Sequence, residues 1–300
     1  MPHVQRRERL NLGLVVGREG RIPEPHASAA AKAVAKLRRR AEAVGSDRIV
    51  AVATSALRDA RNREKVARRL QAAAGTPVRI LSGDEEAALT FAAMRAALPL
   101  GEGRVLGVDL GGGSLELAIG SGARLEWTAS LELGASRLVG SFVRHDPLPD
   151  LERARLVSHV ESTLRPLPSG DFWPSWCVAA GGTVKALARL LVASGGAAGP
   201  LNGVRLGAEH VEAISDRLLS MRRRERRRMP GMDRHRVDVL GPGALVIARL
   251  LRHLGLDGVT VSDWGLREGV ILEALGLSTV DVPAPPCRRS WARRAEQVVA

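Results

Sequence analysis

Three glycines flanked by carboxylates, in Val108-Asp109-Leu110-Gly111-Gly112-Gly113-Ser114-Leu115-Glu116-Leu117, form the segment of this sequence best suited to holding phosphate. Glycines leave the backbone uncovered, so successive N–H groups can converge on phosphate oxygens. A carboxylate at the strand end, Asp109, can hold a hydrated Mg²⁺ against those same oxygens. The segment is not a P-loop, because no Lys accompanies the glycines and a strand, not a helix, follows. An ordinary Gly-rich hairpin turn accounts for the same letters.

Three further segments carry candidate chemistry. In Ser82-Gly83-Asp84-Glu85-Glu86, Ser82 and Glu85 have the spacing of a capping box, which gives Glu85 a structural role. Glu86 is left in the first turn, either as a general base facing a cleft or as a surface acid favoured by the helix dipole. In Thr54-Ser55-Ala56-Leu57-Arg58, the Arg could grip a phosphate bidentately, or it is one more solvated helix Arg in an Arg-rich chain. Gly181-Gly182-Thr183-Val184-Lys185 reads as strand, glycines and helix, where a helix N-terminus can hold a phosphate; close packing of strand on helix is the alternative.

These segments need strands and helices to position them. Strands are expected at Arg9 to Val16, Arg48 to Ala53, Val78 to Leu81, Val105 to Asp109, Leu115 to Ile119, Arg124 to Leu133 (broken near Ala129-Ser130), Cys177 to Ala180 and Gly258 to Ser262. Helices are expected at 27–44, 56–74, 82–97, 135–143, 151–164, 182–192, 210–228, 243–254 and 266–275. Three consecutive strands with tight turns after residue 105 suggest an antiparallel meander. A boundary near residue 101 divides a first α/β domain, 1–101, from a second, 102–282. Pro283-Ala284-Pro285-Pro286 leads into a Pro/Arg-rich tail, 283–300.

Bulk properties exclude several classes. No stretch approaches ~18 consecutive apolar residues, and no signal-peptide pattern opens the chain, so a cytoplasmic location is expected. Two cysteines, Cys177 and Cys287, form neither a disulfide framework nor a metal set. A net charge of +13 would steer any polyanion toward the protein. The charge is nearly all Arg, with no Tyr and only 3% aromatic residues, which points to GC-rich coding and gives bases little to stack on. The run Arg222 to Arg228 therefore reads as a solvated helix end, and nucleic acid is disfavoured as a partner.

Taken in order, these motifs resemble the exopolyphosphatase/guanosine pentaphosphate phosphatase (Ppx/GppA) family. The matching pieces are Ala51 to Asp59, Ile80 to Ala87, Gly107 to Leu117, Ala180 to Thr183, Arg236 to Asp238 with Gly241 to Ala244, and Thr260 to Gly269. The resemblance implies the actin/sugar-kinase/heat-shock-seventy (ribonuclease H-like) superfold, with two α/β domains and a cleft between them. It implies Glu86 as the residue activating the attacking water and Arg58 as a phosphate contact. Gly111, Gly112, Gly113 and Ser114 would form a phosphate loop, Asp109 and Glu116 its Mg²⁺-associated acids, and Gly182 and Thr183 a later phosphate contact. The activity implied is release of terminal orthophosphate from inorganic polyphosphate. Guanosine pentaphosphate hydrolysis and non-catalytic binding are the alternatives, and a kinase of the same superfold ranks last. Homodimerisation is compatible with the family, though no seam is legible.

One departure stands out. The family's opening strand carries an Asp-x-Gly-Ser-Asn-Ser/Thr type phosphate loop that this sequence does not contain. The first domain is therefore expected to lack its first two strands and to begin at its third, Arg9 to Gly13. The expectation that follows is a true start lying upstream, or else a diverged non-catalytic protein.

Overall fold

The computed structural model describes residues 6–168, 170–278 and 280. The chain opens on helices α1 (Leu12–Glu19) and α2 (Glu24–Ala43), followed by strand β1 (Ala51–Ala53), the short helix α3 (Ser55–Arg58), helix α4 (Arg63–Ala74) and strand β2 (Val78–Ile80). Strands β1 and β2 pair in parallel, with Ala51 opposite Val78 and Ala53 opposite Ile80. They form a two-stranded sheet. Its helices bury Val16, Ile22, Ala30, Leu57, Val66 and Leu70 in a core of their own.

The rest of the described chain builds on a six-stranded sheet. Helix α5 (Gly83–Ala97) precedes β3 (Arg104–Leu110), β4 (Leu115–Ser121) and β5 (Arg124–Leu131), then helices α6 (Ala135–Phe142) and α7 (Asp150–Leu164). Next come β6 (Cys177–Ala180), α8 (Gly182–Ala193), β7 (Arg205–Gly207), α9 (Ala208–Ser220), the one-turn α10 (Arg223–Arg226), α11 (Leu240–Leu254), β8 (Gly258–Val261) and α12 (Leu266–Ala274). The sheet order is β5-β4-β3-β6-β8-β7. β3, β6 and β8 run parallel at its centre, flanked by the antiparallel β4–β5 hairpin and by β7.

Alternation along the strands sends their side chains to two faces. Leu106, Val108 and Leu110 of β3 join Leu115, Leu117 and Ile119 of β4 in the larger core, packed with α8 and α11. Val105 and Ala118 face the other way and meet Ala88, Phe91 and Met94 of α5. Helix α5, which a boundary at residue 101 would place in the first domain, thus lies on a face of the second sheet. Ser82 caps it as the spacing foretold: the Glu85 N–H donates to Ser82 Oγ at 3.1 Å, and the Ser82 N–H to Glu85 Oε2 at 2.7 Å.

Several expectations need correction. The strand expected at Arg9 to Val16 is a helix from Leu12 onward. A short apolar run fits either element, and packing decides. A Cβ on Gly17 would sit 2.8 Å from the Arg137 carbonyl oxygen, and one on Gly140 would sit 2.5 Å from that of Leu14. Glycines on α1 and α6 therefore let the two helix backbones approach more closely than any other residue allows. Among the described residues the expected strand before β1 is therefore absent, and β1 and β2 pair only with each other. Strand β5 keeps its register through Ala129 and Ser130, and its irregularity falls earlier, where Glu126 is left unpaired opposite the Ile119–Gly120 step of β4. The helix expected over 210–228 is two, α9 and α10, parted at Met221. Strand β7 went unforeseen. The tail over 283–300 lies outside the described residues. No helix among the described residues is long and apolar enough to cross a membrane.

Candidate active site

The register of the β3–β4 hairpin places Asp109 directly opposite Glu116, on the face covered by α5. Ser130 of β5 lies opposite Glu116 in turn and donates to its Oε1 at 3.0 Å. From α5, the Thr90 hydroxyl donates to Asp109 Oδ2 at 3.2 Å. Glu86 lies one helical turn before Thr90, so it points to the same face. Two buried carboxyl groups, Glu86 and Glu116, and the half-buried Asp109 are thereby brought together.

Burial and crowding move these groups the same way. Glu86 is 5% exposed, and desolvation pushes its pKa up to about 7, opposed by Arg58 and reinforced by Asp109 and Asp59. Desolvation pushes Glu116 up to about 8, with the charges of Glu86 and Asp109 adding to it. Asp109 is also raised by burial, with the Thr90 hydrogen bond and the Lys185 charge working against the shift. Carboxylates this close cannot all ionise without a compensating cation.

The Arg58 guanidinium reaches this cluster from the end of α3. Its Nη1 donates to Glu86 and, at 2.8 Å, to the Leu81 carbonyl, while Nε lies 3.6 Å from Asp59 Oδ1. The solvated-Arg reading therefore does not describe this residue.

The Gly-rich loop is held from behind by α6. The Gly111 and Gly112 carbonyls accept from the Ala135 and Arg137 N–H groups at 3.1 and 2.9 Å, and the Gly113 carbonyl accepts from Arg137 Nε at 2.7 Å. A trans peptide points its N–H opposite its C=O, so the Gly112, Gly113 and Ser114 N–H groups turn away from α6. No described residue accepts a hydrogen bond from any of the three. The loop also touches the first sheet's helices, since a Cβ on Gly113 would fall 2.2 Å from Ser55 Oγ. The Ser114 side chain is buried and hydrogen-bonds to Glu116.

The third segment meets the same place from β6. Gly181 has φ +96°, and a Cβ there would lie 2.6 Å from the Leu110 carbonyl oxygen and 2.8 Å from Asp109 Oδ1. Only a bare Cα lets the chain pass this close to Asp109. Gly182 begins α8 with the Arg236 guanidinium directly over it. The Thr183 side chain is fully buried beside Gly243 with its hydroxyl unpartnered. The side chain is therefore closed off from an anion.

Beyond these residues lies a basic cluster that the motifs did not single out. Arg9, Arg189 and Arg236 share one carboxylate, Asp233, at 3.8, 3.9 and 3.9 Å. Burial lowers the pKa of Arg236, and Arg9, Arg7 and Arg189 lower it further. Burial and then Arg267 do the same to Arg7. Lys185, with its Nζ donating to the Asp263 carbonyl at 2.8 Å, is lowered by burial too. Arg236 and Lys185 stood inside quoted motifs, but Arg7, Arg9 and Arg189 carry no local signal.

The Ppx/GppA phosphatase family profile matches residues 2–278. The chain belongs to the Ppx/GppA phosphatase family. Among its relatives, exopolyphosphatase 1 of Mycobacterium tuberculosis is 34% identical over 237 residues, which cover 77% of this chain and 68% of the relative. Exopolyphosphatase 1 of Mycobacterium leprae is 32% identical over 261 residues, 85% of this chain and 76% of the relative. Among solved structures, an exopolyphosphatase from Cytophaga hutchinsonii superposes with a TM-score of 0.78 at 26% identity, covering 89% of this chain and 86% of the other. The Ppx/GppA family member of Aquifex aeolicus gives 0.70 at 28% identity over 89% and 86% of the two chains. The fold is accordingly the actin-like α/β superfold of Ppx/GppA proteins.

The residues present suit a hydrated divalent cation. No three His, Cys, Asp or Glu side chains among the described residues converge as a metal cage. Mg²⁺ does not need one, since it keeps several waters and binds through one or two carboxylates. Asp109 and Glu116 supply that donor type, and a Cβ on Gly181 would crowd the Asp109 Oδ1 that such an ion would bind.

Proposed function

We propose that this Ppx/GppA chain hydrolyses the terminal phosphoanhydride bond of inorganic polyphosphate, releasing orthophosphate. The observation that carries the reading is the convergence of Glu86, the Gly112 to Ser114 N–H groups and Asp109 with Glu116 at one place, next to a cluster of cations. Water attacks the terminal phosphorus, the bridging P–O bond breaks, and the products are orthophosphate and a chain one unit shorter. Glu86, buried and poised near neutrality, accepts the proton of the water. Arg58 holds that carboxylate in place until an anion competes for the guanidinium. The three N–H groups of the loop face charge developing on the transferred group, where fixed donors in a dry site are most effective. Asp109 and Glu116 would hold Mg²⁺, which when bound neutralises charge on the phosphate oxygens.

The cation cluster supports polyphosphate as the substrate. Arg7, Arg9, Arg189, Arg236 and Arg267 crowd around Asp233 and Glu268, a balance that a polyanion corrects. A linear polyphosphate presents charge at every unit and suits such a row better than a ligand whose far end is a base.

The test is orthophosphate release from long-chain polyphosphate with Mg²⁺, comparing the 300-residue chain with its Glu86→Gln variant. Release by the wild type and its loss in the variant support the hydrolase. No release from a folded wild-type chain would sink the hydrolase reading.

A further inference from the structure

Arg137 is, with Arg58, a half-buried cation of the site, and neither its sequence context nor the family motifs give it a role. It sits on the first turn of α6 with its side chain 14% exposed. Its guanidinium does two things at once. Nε donates to the Gly113 carbonyl at 2.7 Å, and Nη2 donates to Asp59 Oδ2. Glu132, at 3.4 Å from Nη1, is a weaker and largely exposed third contact. Asp59 spends its other oxygen on Arg58, 3.6 Å away, and Arg58 in turn clamps Glu86.

A continuous path of charged contacts therefore runs from Glu86 through Arg58, Asp59 and Arg137 to the Gly113 carbonyl. The peptide it ends on fixes the direction of the Ser114 N–H, because the two groups of one trans peptide point oppositely. Gly113 packs against Ser55 of the same short helix that carries Arg58, so the path closes into a ring with α3 on one side and α6 on the other.

We infer that Asp59 and Arg137 are a positioning pair, which holds the base clamp Arg58 and the anion-binding loop in one alignment. Neither residue reaches the reacting atoms. Resting on the hydrolase reading above, the inference adds that the Gly113–Ser114 peptide and the Glu86 carboxylate are aligned by one ion pair and lose alignment together. Lysine cannot replace Arg137, since a single ammonium on a flexible stem does not reproduce a planar fork bonded to two acceptors in different directions.

The experiment is a double-mutant cycle of Asp59→Asn and Arg137→Gln, read as kcat and KM for long-chain polyphosphate. Each single variant should lower kcat by about 10- to 100-fold, the scale of a misplaced reacting group, with KM changed less than about 3-fold. The double variant should lose no more than the worse single one, because both remove the same contact. Arg137→Lys should behave like Arg137→Gln. Losses that multiply in the double variant, or that appear in KM alone, overturn the pairing, as does full rescue by Arg137→Lys. Where Arg137→Gln fails to fold, Arg137→Lys carries the same prediction. Amide exchange at Gly111, whose N–H donates to the Ser114 carbonyl across the loop at 3.0 Å, gives a readout independent of turnover: it should quicken in both single variants while the amides of the β6 strand keep their protection. Unchanged exchange at Gly111 overturns the inference even if the wild type proves inactive, in which case the absent orthophosphate release sinks the hydrolase reading separately.

Discussion

Asp109 and Glu116 face each other across the antiparallel β3–β4 pair, on the side of the sheet that α5 buries. Like charges directly opposite on neighbouring strands oppose folding. Glu86, added from α5, makes the arrangement costlier still. A fold that keeps three such groups together stores unfavourable electrostatics that a divalent cation or a proton relieves.

The first consequence concerns stability and pH. Folded Glu86 and Glu116 hold their protons up to about 7 and about 8, while an unfolded Glu titrates near 4.3. Between these limits the folded chain binds more protons than the unfolded one, so stability falls as pH rises. Without divalent cations, the urea midpoint should drop steadily from pH 5 to pH 8.5. Glu116→Gln should flatten part of that slope, and a midpoint that instead climbs with pH would contradict the burial of these groups.

Activity should run the opposite way. Glu86 must be ionised to accept a proton, so orthophosphate release should rise with pH through about 7. Glu86→Gln should cut kcat by about 10²- to 10⁴-fold, the usual contribution of a positioned base. Its far-ultraviolet spectrum and melting should stay close to wild type at pH 6. A variant retaining most of the wild-type kcat would remove Glu86 from the chemistry.

Arg236 lies over Gly182 and shares Asp233 with Arg9 and Arg189. Arg236→Gln should raise KM for long-chain polyphosphate by about 10-fold, in keeping with one lost hydrogen bond to a charged group. The salt dependence of KM should weaken with it. Steady-state kinetics at two ionic strengths checks both, and an unchanged KM would take the basic cluster out of substrate binding.

Gly181 tests the architecture rather than the chemistry. With φ +96° and a Cβ position 2.8 Å from Asp109 Oδ1, Gly181→Ala combines a strained backbone with a clash. It should destabilise the protein by about 1–3 kcal/mol, measured by urea unfolding. Gly207→Ala, where a Cβ would meet nothing within 4 Å, is the control and should cost much less.

Much of this arrangement is legible in the sequence. The Ser82/Glu85 capping box, the meander of β3 to β5 and the strand–glycine–helix of β6 and α8 follow from local rules, because each is decided within a few residues. Glu86 stands out in the sequence because its neighbour Glu85 is occupied by the helix cap. The strand expected over residues 9–16 failed because its outcome depends on α6, more than a hundred positions away. Asp59 and Arg137 escaped notice for a related reason: 78 residues separate them, and one arginine among many carries no mark of its partner. The Arg7, Arg9 and Arg189 cluster is likewise a product of tertiary proximity alone.

Arg58 and Glu86 belong to different layers, one at the end of a helix packed with the two-stranded sheet and the other on a helix seated against the six-stranded sheet. Their ion pair therefore makes proton uptake and separation of the two layers reciprocal quantities. Prying the layers apart strips Glu86 of its cation, which favours the proton, but also hydrates its carboxyl, which disfavours it more; separation that exposes Glu86 therefore releases its proton, and ionising Glu86 favours separation by the same free energy. The opening of the cleft is, in this sense, a titration.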